Sequence, residues 1–253
     1  LKDINDINNK IFYRNLSIIK VMHFCKGNSL WKELIEWSEH LNPKNLSQKV
    51  FTTTFNGKNI TISSDNEKWH LYLCKAYCKT KNFIRCKEIS ESALKYNENS
   101  LQEIWFKYYL NKSNGFLAIE NNNDNEIKKT IELFKEFLVR YKKEWFVYFE
   151  LSNLYFALND FKKANYYITK AITLGLNHKV EYKWELFLNA GLISKKLNQS
   201  DISDKLLLLS YKLRQENDWK IPQTLQDLIN KEESSEDERT SKYLIDDLKR
   251  YWN

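Results

Sequence analysis

The sequence predicts an all-α chain, a superhelical solenoid of antiparallel helical hairpins, and three observations predict it. Glycine and proline are scarce, 5 and 2 in 253 residues, whereas sandwiches and barrels need turn residues at short, regular intervals. Apolar residues recur at helical spacing, as at Ile127, Ile131, Phe134, Phe137 and Leu138. Small side chains return at matching places in successive stretches, where two packed helices must approach closely. The content of 42% hydrophobic and 15% aromatic residues excludes a disordered chain. Asparagine is abundant even inside helical patterns (Asn153, Asn165), so it is a weak loop signal here.

Residues 1–49 read as an N-terminal helical pair, Ile11–Cys25 and Leu30–Leu41, a degenerate repeat that ends in Leu41-Asn42-Pro43. Residues 50–66 break the pattern. VFTTTFNGKNITIS alternates β-branched residues around Asn56-Gly57, the strongest two-residue hairpin signal. Positions 50–63 form either a short β-hairpin or an extended loop before a cap at Ser64 or Asp65. A lone hairpin is marginal in water, so it is expected to lie against the helices.

Residues 67–222 carry the repeats. Unit 67–98 puts Leu73, Cys74 and Tyr77 on its first helix and Phe83, Cys86 and Ala93 on its second. Stretch 101–141 is an irregular, degenerate repeat: a long aromatic helix, the turn tract Asn121–Asn125, and an amphipathic helix. Unit 145–176 is the clearest. Tyr148, Leu151, Ser152 and Tyr155 lie on its first helix, and Phe161, Ala164, Ile168 and Ala171 on its second. Two antiparallel helices close up only where side chains are small, so Ser152 and Ala164 should meet at the crossing. Unit 184–217 is fainter, with Gly191, Ser203 and Ser210 at the small positions. In residues 223–253 a short helix (Gln223–Asn230) leads through the acidic linker 231–239 to an amphipathic helix. That helix carries Tyr243, Leu244, Leu248, Tyr251 and Trp252. Its apolar side must cover the open end of the stack or meet something else.

These residues resemble the tetratricopeptide repeat. In the clearest unit only the closing proline is missing, and Leu176 stands in its place. Ser152 to Gly191 is 39 residues, against about 34 for the family, so the linker before the last unit is longer. The C-terminal part also resembles bacterial tetratricopeptide proteins that continue into a small cold-shock-like barrel, which would lie beyond Asn253. The chain starts at Leu1 rather than Met and stops just after an amphipathic stretch, as expected of a piece of a longer protein.

The formal net charge is +7. Segment 231–239 holds five acids and two bases, a local −3, which leaves +10 on the rest. A basic body is commonly a solvated lysine-rich surface, and it also suits an acidic peptide or a phosphate backbone. The first thirty residues lack a signal peptide's apolar core, and no apolar run is long enough to span a membrane. Four cysteines without an export signal imply reduced thiols and a cytoplasmic protein.

Motifs for chemistry are missing. There is no phosphate-binding glycine loop, no G-x-S-x-G, no H-E-x-x-H and no C-x-x-C. No catalytic residue, cofactor or small-molecule substrate is expected. His70, Cys74 and Cys78 share a helical face, with Cys86 opening the next helix. Three ligands stacked along two turns converge poorly on one zinc ion. Cys74 and Cys86 also fall at the small positions, so core cysteines are expected and no metal.

The resemblance implies a concave groove lined by the first helix of each repeat. Carried over, its positions are Lys68, Leu71, Lys75, Cys78 and Lys79; then Phe146, Phe149, Asn153, Phe156 and Ala157; then Glu185, Leu188, Leu192, Lys195 and Lys196. Phe146 and Phe149 could equally pack on a neighbouring helix. The leading expectation is a non-catalytic scaffold or adaptor that binds a protein segment of acidic or mixed charge. The alternatives are binding of RNA or single-stranded nucleic acid through a basic, aromatic surface, and a regulatory subunit of a larger enzyme assembly.

Overall fold

The computed structural model describes residues 2–97, 100, 102–176, 183–229 and 240–252. It is helical, with one two-stranded sheet among these residues. The chain divides into two compact units, 1–122 and 123–253, with the boundary in the turn after Glu120.

The first unit contains α1 (Lys2–Gly27), α2 (Trp31–Ser38), a 3-10 turn (Pro43–Asn45), β1 (Phe51–Phe55), β2 (Lys58–Ile62), α3 (Asp65–Lys79), α4 (Phe83–Tyr96) and α5 (Glu103–Glu120). Its core gathers Ile19, Met22, Leu34, Leu73 and Phe106, all buried. The α3 start is fixed by a capping box. Ser64 Oγ accepts from the Glu67 N–H at 3.1 Å, and the Glu67 carboxylate accepts from the Ser64 N–H at 2.6 Å. Glu67 also accepts from Ser100, which explains a carboxylate that is only 2% exposed.

Residues 50–63 resolve to the hairpin rather than the loop. Phe51 pairs with Ile62, Thr53 with Ile60 and Phe55 with Lys58. Asn56 and Gly57 take φ of +48° and +73°, the left-handed pair of a type I′ turn. The expectation that the helices would cover it is overturned: every residue of both strands is exposed.

The second unit contains α6 (Asp124–Arg140), α7 (Trp145–Ala157), α8 (Phe161–Gly175), α9 (Lys183–Lys196), α10 (Ser200–Gln215), α11 (Gln223–Leu228) and α12 (Ser241–Trp252). Its core includes Phe134, Leu151, Ile168, Phe187 and Leu206. The longer linker before α9 and the acidic linker 231–239 both lie outside the described residues. The α12 helix covers α10 with Leu244 and Leu248, both fully buried. It is held there by the Ser241 N–H donating to Glu216 at 2.8 Å.

The hairpin crossings are as the small residues predicted. Ser152 Oγ donates to the Ala164 carbonyl at 2.9 Å. Cys86 Sγ donates to the Cys74 carbonyl at 3.2 Å, and Ser203 Oγ to the Gly191 carbonyl at 2.9 Å. The two residues of each pair are twelve positions apart, and all six are buried. A side chain small enough to let the helices touch also brings a polar hydrogen within reach of the opposite backbone.

The turns between paired helices share one geometry. Lys81, Asn159 and Asn198 have φ near +60°. The next residue's N–H bonds five residues back: Asn82 to Tyr77 at 2.8 Å, Asp160 to Tyr155 at 3.0 Å, Gln199 to Ser194 at 2.9 Å. This is the Schellman motif, which satisfies the last carbonyls of one helix. In two of the three turns the same residue then caps the next helix, Asn82 accepting from the Arg85 N–H and Asp160 from the Lys163 N–H.

Candidate partner-binding faces

On α3 the four residues Lys68, Leu71, Lys75 and Lys79 follow helical spacing and form one stripe, less buried than the rest of the helix. Lys68 pairs with Asp65 at 3.0 Å. Lys75 Nζ lies 5.4 Å from the Trp31 ring centroid, a cation–π contact with α2. Lys79, at the C-terminal end, is exposed. Cys78 lies on the same side, half-buried.

On α7 the stripe is Phe146, Phe149, Asn153 and Phe156, all half-buried. Phe146 meets Trp145 edge-on at 6.1 Å, and Phe156 meets Phe161 of α8 at 5.5 Å. The neighbouring helix α9 runs beside this stripe, and Asn189 Nδ2 donates to Asn153 Oδ1 at 2.8 Å. Part of Asn153's capacity is thus used to join two first helices. Lys195 and Lys196 end α9, both exposed. The predicted groove residues are therefore divided between the two units. The α3 stripe belongs to the first unit, and the α7 stripe with the α9 lysines to the second.

Sequence reasoning missed a cleft of about 420 Å³ in the second unit. Asp124, Lys128, Ile131, Glu132 and Lys135 of α6 form one side; Tyr155, Leu158, Asp160 and Lys163 form the other. Lys163 lies 5.3 Å from the centre of the Tyr155 ring and 2.7 Å from Asp160, and that bond holds the Asp160 carboxyl below its ordinary range. Three acids and three bases around a tyrosine suit a mixed-charge polar segment. No sequence signal marks this cleft, because helix packing alone brings its two sides together.

The cysteine and histidine cluster serves packing. Cys74 is fully buried, and burial pushes its thiol up to about 12. Cys86 is raised too, chiefly by its hydrogen bond with Cys78 and then by burial. Both thiols therefore stay protonated near neutral pH, as core cysteines do. His70 is buried, with Nδ1 2.9 Å from the Asn66 carbonyl and Nε2 3.3 Å from Ser92 Oγ. Burial lowers its pKa and keeps the ring neutral. Among the described residues no group of three or more His, Cys, Asp or Glu is placed to hold a metal ion. His23 meets the Tyr72 hydroxyl at 2.8 Å. No described helix is long and apolar enough to cross a membrane.

No protein-family model matches this sequence, and no curated protein does. Among solved structures, MamA from Desulfovibrio magneticus RS-1 is 9% identical, with 81% of this chain and 97% of that chain covered and a TM-score of 0.49. MamA of AMB-1 is 13% identical, covering 81% and 99%, with a TM-score of 0.47. MamA of MSR-1 is 12% identical, covering 81% and 98%, also with a TM-score of 0.47. The tetratricopeptide-like architecture rests on the crossings and turns of this chain itself.

Proposed function

We propose that this chain is a non-catalytic scaffold that holds segments of a partner protein against the first helices of its repeats. The supporting observations are the half-buried aromatic stripe of α7 and, on the helix joined to it through Asn153 and Asn189, the exposed lysines at the end of α9. Rigid rings offer contact area at small entropic cost, and lysines steer a segment of acidic or mixed charge. The lysines of the α3 stripe offer the same charge in the first unit.

The test is affinity capture by the full chain and by a Lys75→Glu, Phe149→Ala variant. Proteins retained by the wild type should be lost by the variant, at unchanged helical content. Equal retention by both would remove these faces from the account.

Nucleic-acid binding stands behind this reading on net charge alone. A labelled single-stranded RNA separates the two, because phosphate contacts weaken steeply between about 50 and 200 mM salt. An aromatic-anchored protein segment should be retained across that range.

A further inference from the structure

The hairpin β1–β2 is out of balance with its surroundings. Phe51, Phe55, Ile60 and Ile62 share one of its faces with Thr53 and Lys58, by the register and the alternation of a strand. The four apolar residues are 54%, 64%, 42% and 41% exposed. Thr52, Thr54, Asn59 and Thr61 make the other face, where Thr54 Oγ1 donates to Asn59 Oδ1 at 3.0 Å. Two strands without a packed face are marginal in water, and grouped exposed apolar side chains mark an interaction site.

The edges carry a second signal. A two-residue turn makes Phe55 and Lys58 a hydrogen-bonded pair, so Thr53–Ile60 and Phe51–Ile62 are also bonded pairs. The backbone groups of Thr52 and Thr54 therefore point outward from β1, and those of Asn59 and Thr61 outward from β2. Edge strands are commonly guarded by lysine or proline. The β2 edge has Lys58, whereas β1 reads Phe-Thr-Thr-Thr-Phe with no guard.

Charge selects the occupant. From Lys44 to Ser64 the chain holds Lys44, Lys49 and Lys58 and no acidic residue. Lys49 Nζ lies 5.8 Å from the Phe51 ring centroid, at the border of the apolar face. A second copy would bring these lysines together. A lipid surface would leave the outward N–H and C=O groups of β1 without partners.

We infer that the β1 edge is a docking site for an extended segment of a partner protein. That segment adds as a third strand through Thr52 and Thr54, alternates apolar residues to extend the Phe51–Phe55 face, and carries acidic residues at its ends. This site is separate from the helix faces assigned above, and Lys75→Glu with Phe149→Ala should leave it intact.

The probe is a short synthetic peptide of alternating valine and threonine flanked by glutamates, with a lysine-flanked version as control. Binding to the full chain is read by fluorescence anisotropy. The glutamate-flanked peptide should bind, and the lysine-flanked one should bind at least about tenfold more weakly. Thr54→Pro removes one outward N–H without touching a bonded pair and should abolish binding. Thr61→Pro, on the guarded edge, should leave binding unchanged. Phe51→Ser with Phe55→Ser should also abolish it, with helical content unchanged by circular dichroism, since both rings are exposed. The inference is overturned if the glutamate-flanked peptide does not bind, or if it binds Thr54→Pro as well as wild type. It is overturned equally if the wild type dimerises through these phenylalanines, or if anionic phosphatidylserine vesicles bind it and Phe51→Ser with Phe55→Ser abolishes that binding.

Discussion

Lys81 sits at φ +60° in the turn between α3 and α4, a conformation that crowds any Cβ and favours glycine or asparagine. Asn159 and Asn198 hold the corresponding places in the later hairpins. Lys81→Gly should therefore raise stability by about 0.5–1 kcal/mol, read as a higher urea midpoint at unchanged slope. The same geometry shows what the sequence hid. Asparagine is too common in this chain to be a strong turn signal, yet Asn159 and Asn198 adopt positive φ, as does Asn122 in the turn tract read from the sequence. A chain with few glycines uses asparagine to end its helices. His70 offers a second test. Its folded pKa lies below the ordinary 6.5 because the ring is buried, so the unfolded chain takes up this proton first as pH falls. Its stabilising contribution is complete above about 6.5 and is lost as pH drops toward the depressed value. The unfolding free energy should fall between about pH 7 and pH 5, and His70→Gln should make that fall shallower. Equal slopes would contradict the burial account.

At the level of elements, the helical hairpins α3–α4, α7–α8 and α9–α10 are each a joint of two parts: a Schellman turn at one end and a small-residue crossing along its length. The crossings were legible because steric need restricts the residue type, so cysteine, serine and glycine could all be read as one signal. A Cβ built on Gly191 would lie 2.8 Å from Leu207 Cγ and 3.3 Å from the Ser203 carbonyl. Gly191→Ala should cost about 1–3 kcal/mol through overpacking, despite alanine's better helix propensity. Gly27→Ala, with nothing within 4 Å of its Cβ, should be neutral or slightly stabilising. Thermal melts of the two variants against wild type compare them directly. The hairpin β1–β2 was legible as to existence, from Asn56-Gly57, but not as to environment. Alternation shows which residues share a face and is silent on whether anything covers that face.

At the scale of the molecule, among the described residues the same crossing occurs once in the first unit, at Cys74 and Cys86, and twice in the second, at Ser152–Ala164 and Gly191–Ser203. Repeat proteins owe their stability to each hairpin and its nearest neighbours, so local patterns sufficed to read the architecture. The candidate faces were half legible. Helical spacing placed Lys68 with Lys75 and Phe146 with Phe149. The Asn153–Asn189 bond and the cleft around Tyr155 depend on which helices become neighbours, and no single stretch of sequence encodes that. The most direct test of the architecture is a nuclear Overhauser measurement on protein with labelled alanine methyl groups. The Ala164 methyl should show cross-peaks to the Ser152 side chain across the α7–α8 crossing. An Ala164 methyl that sees only protons of its own helix would contradict the nested hairpins on which every other claim depends.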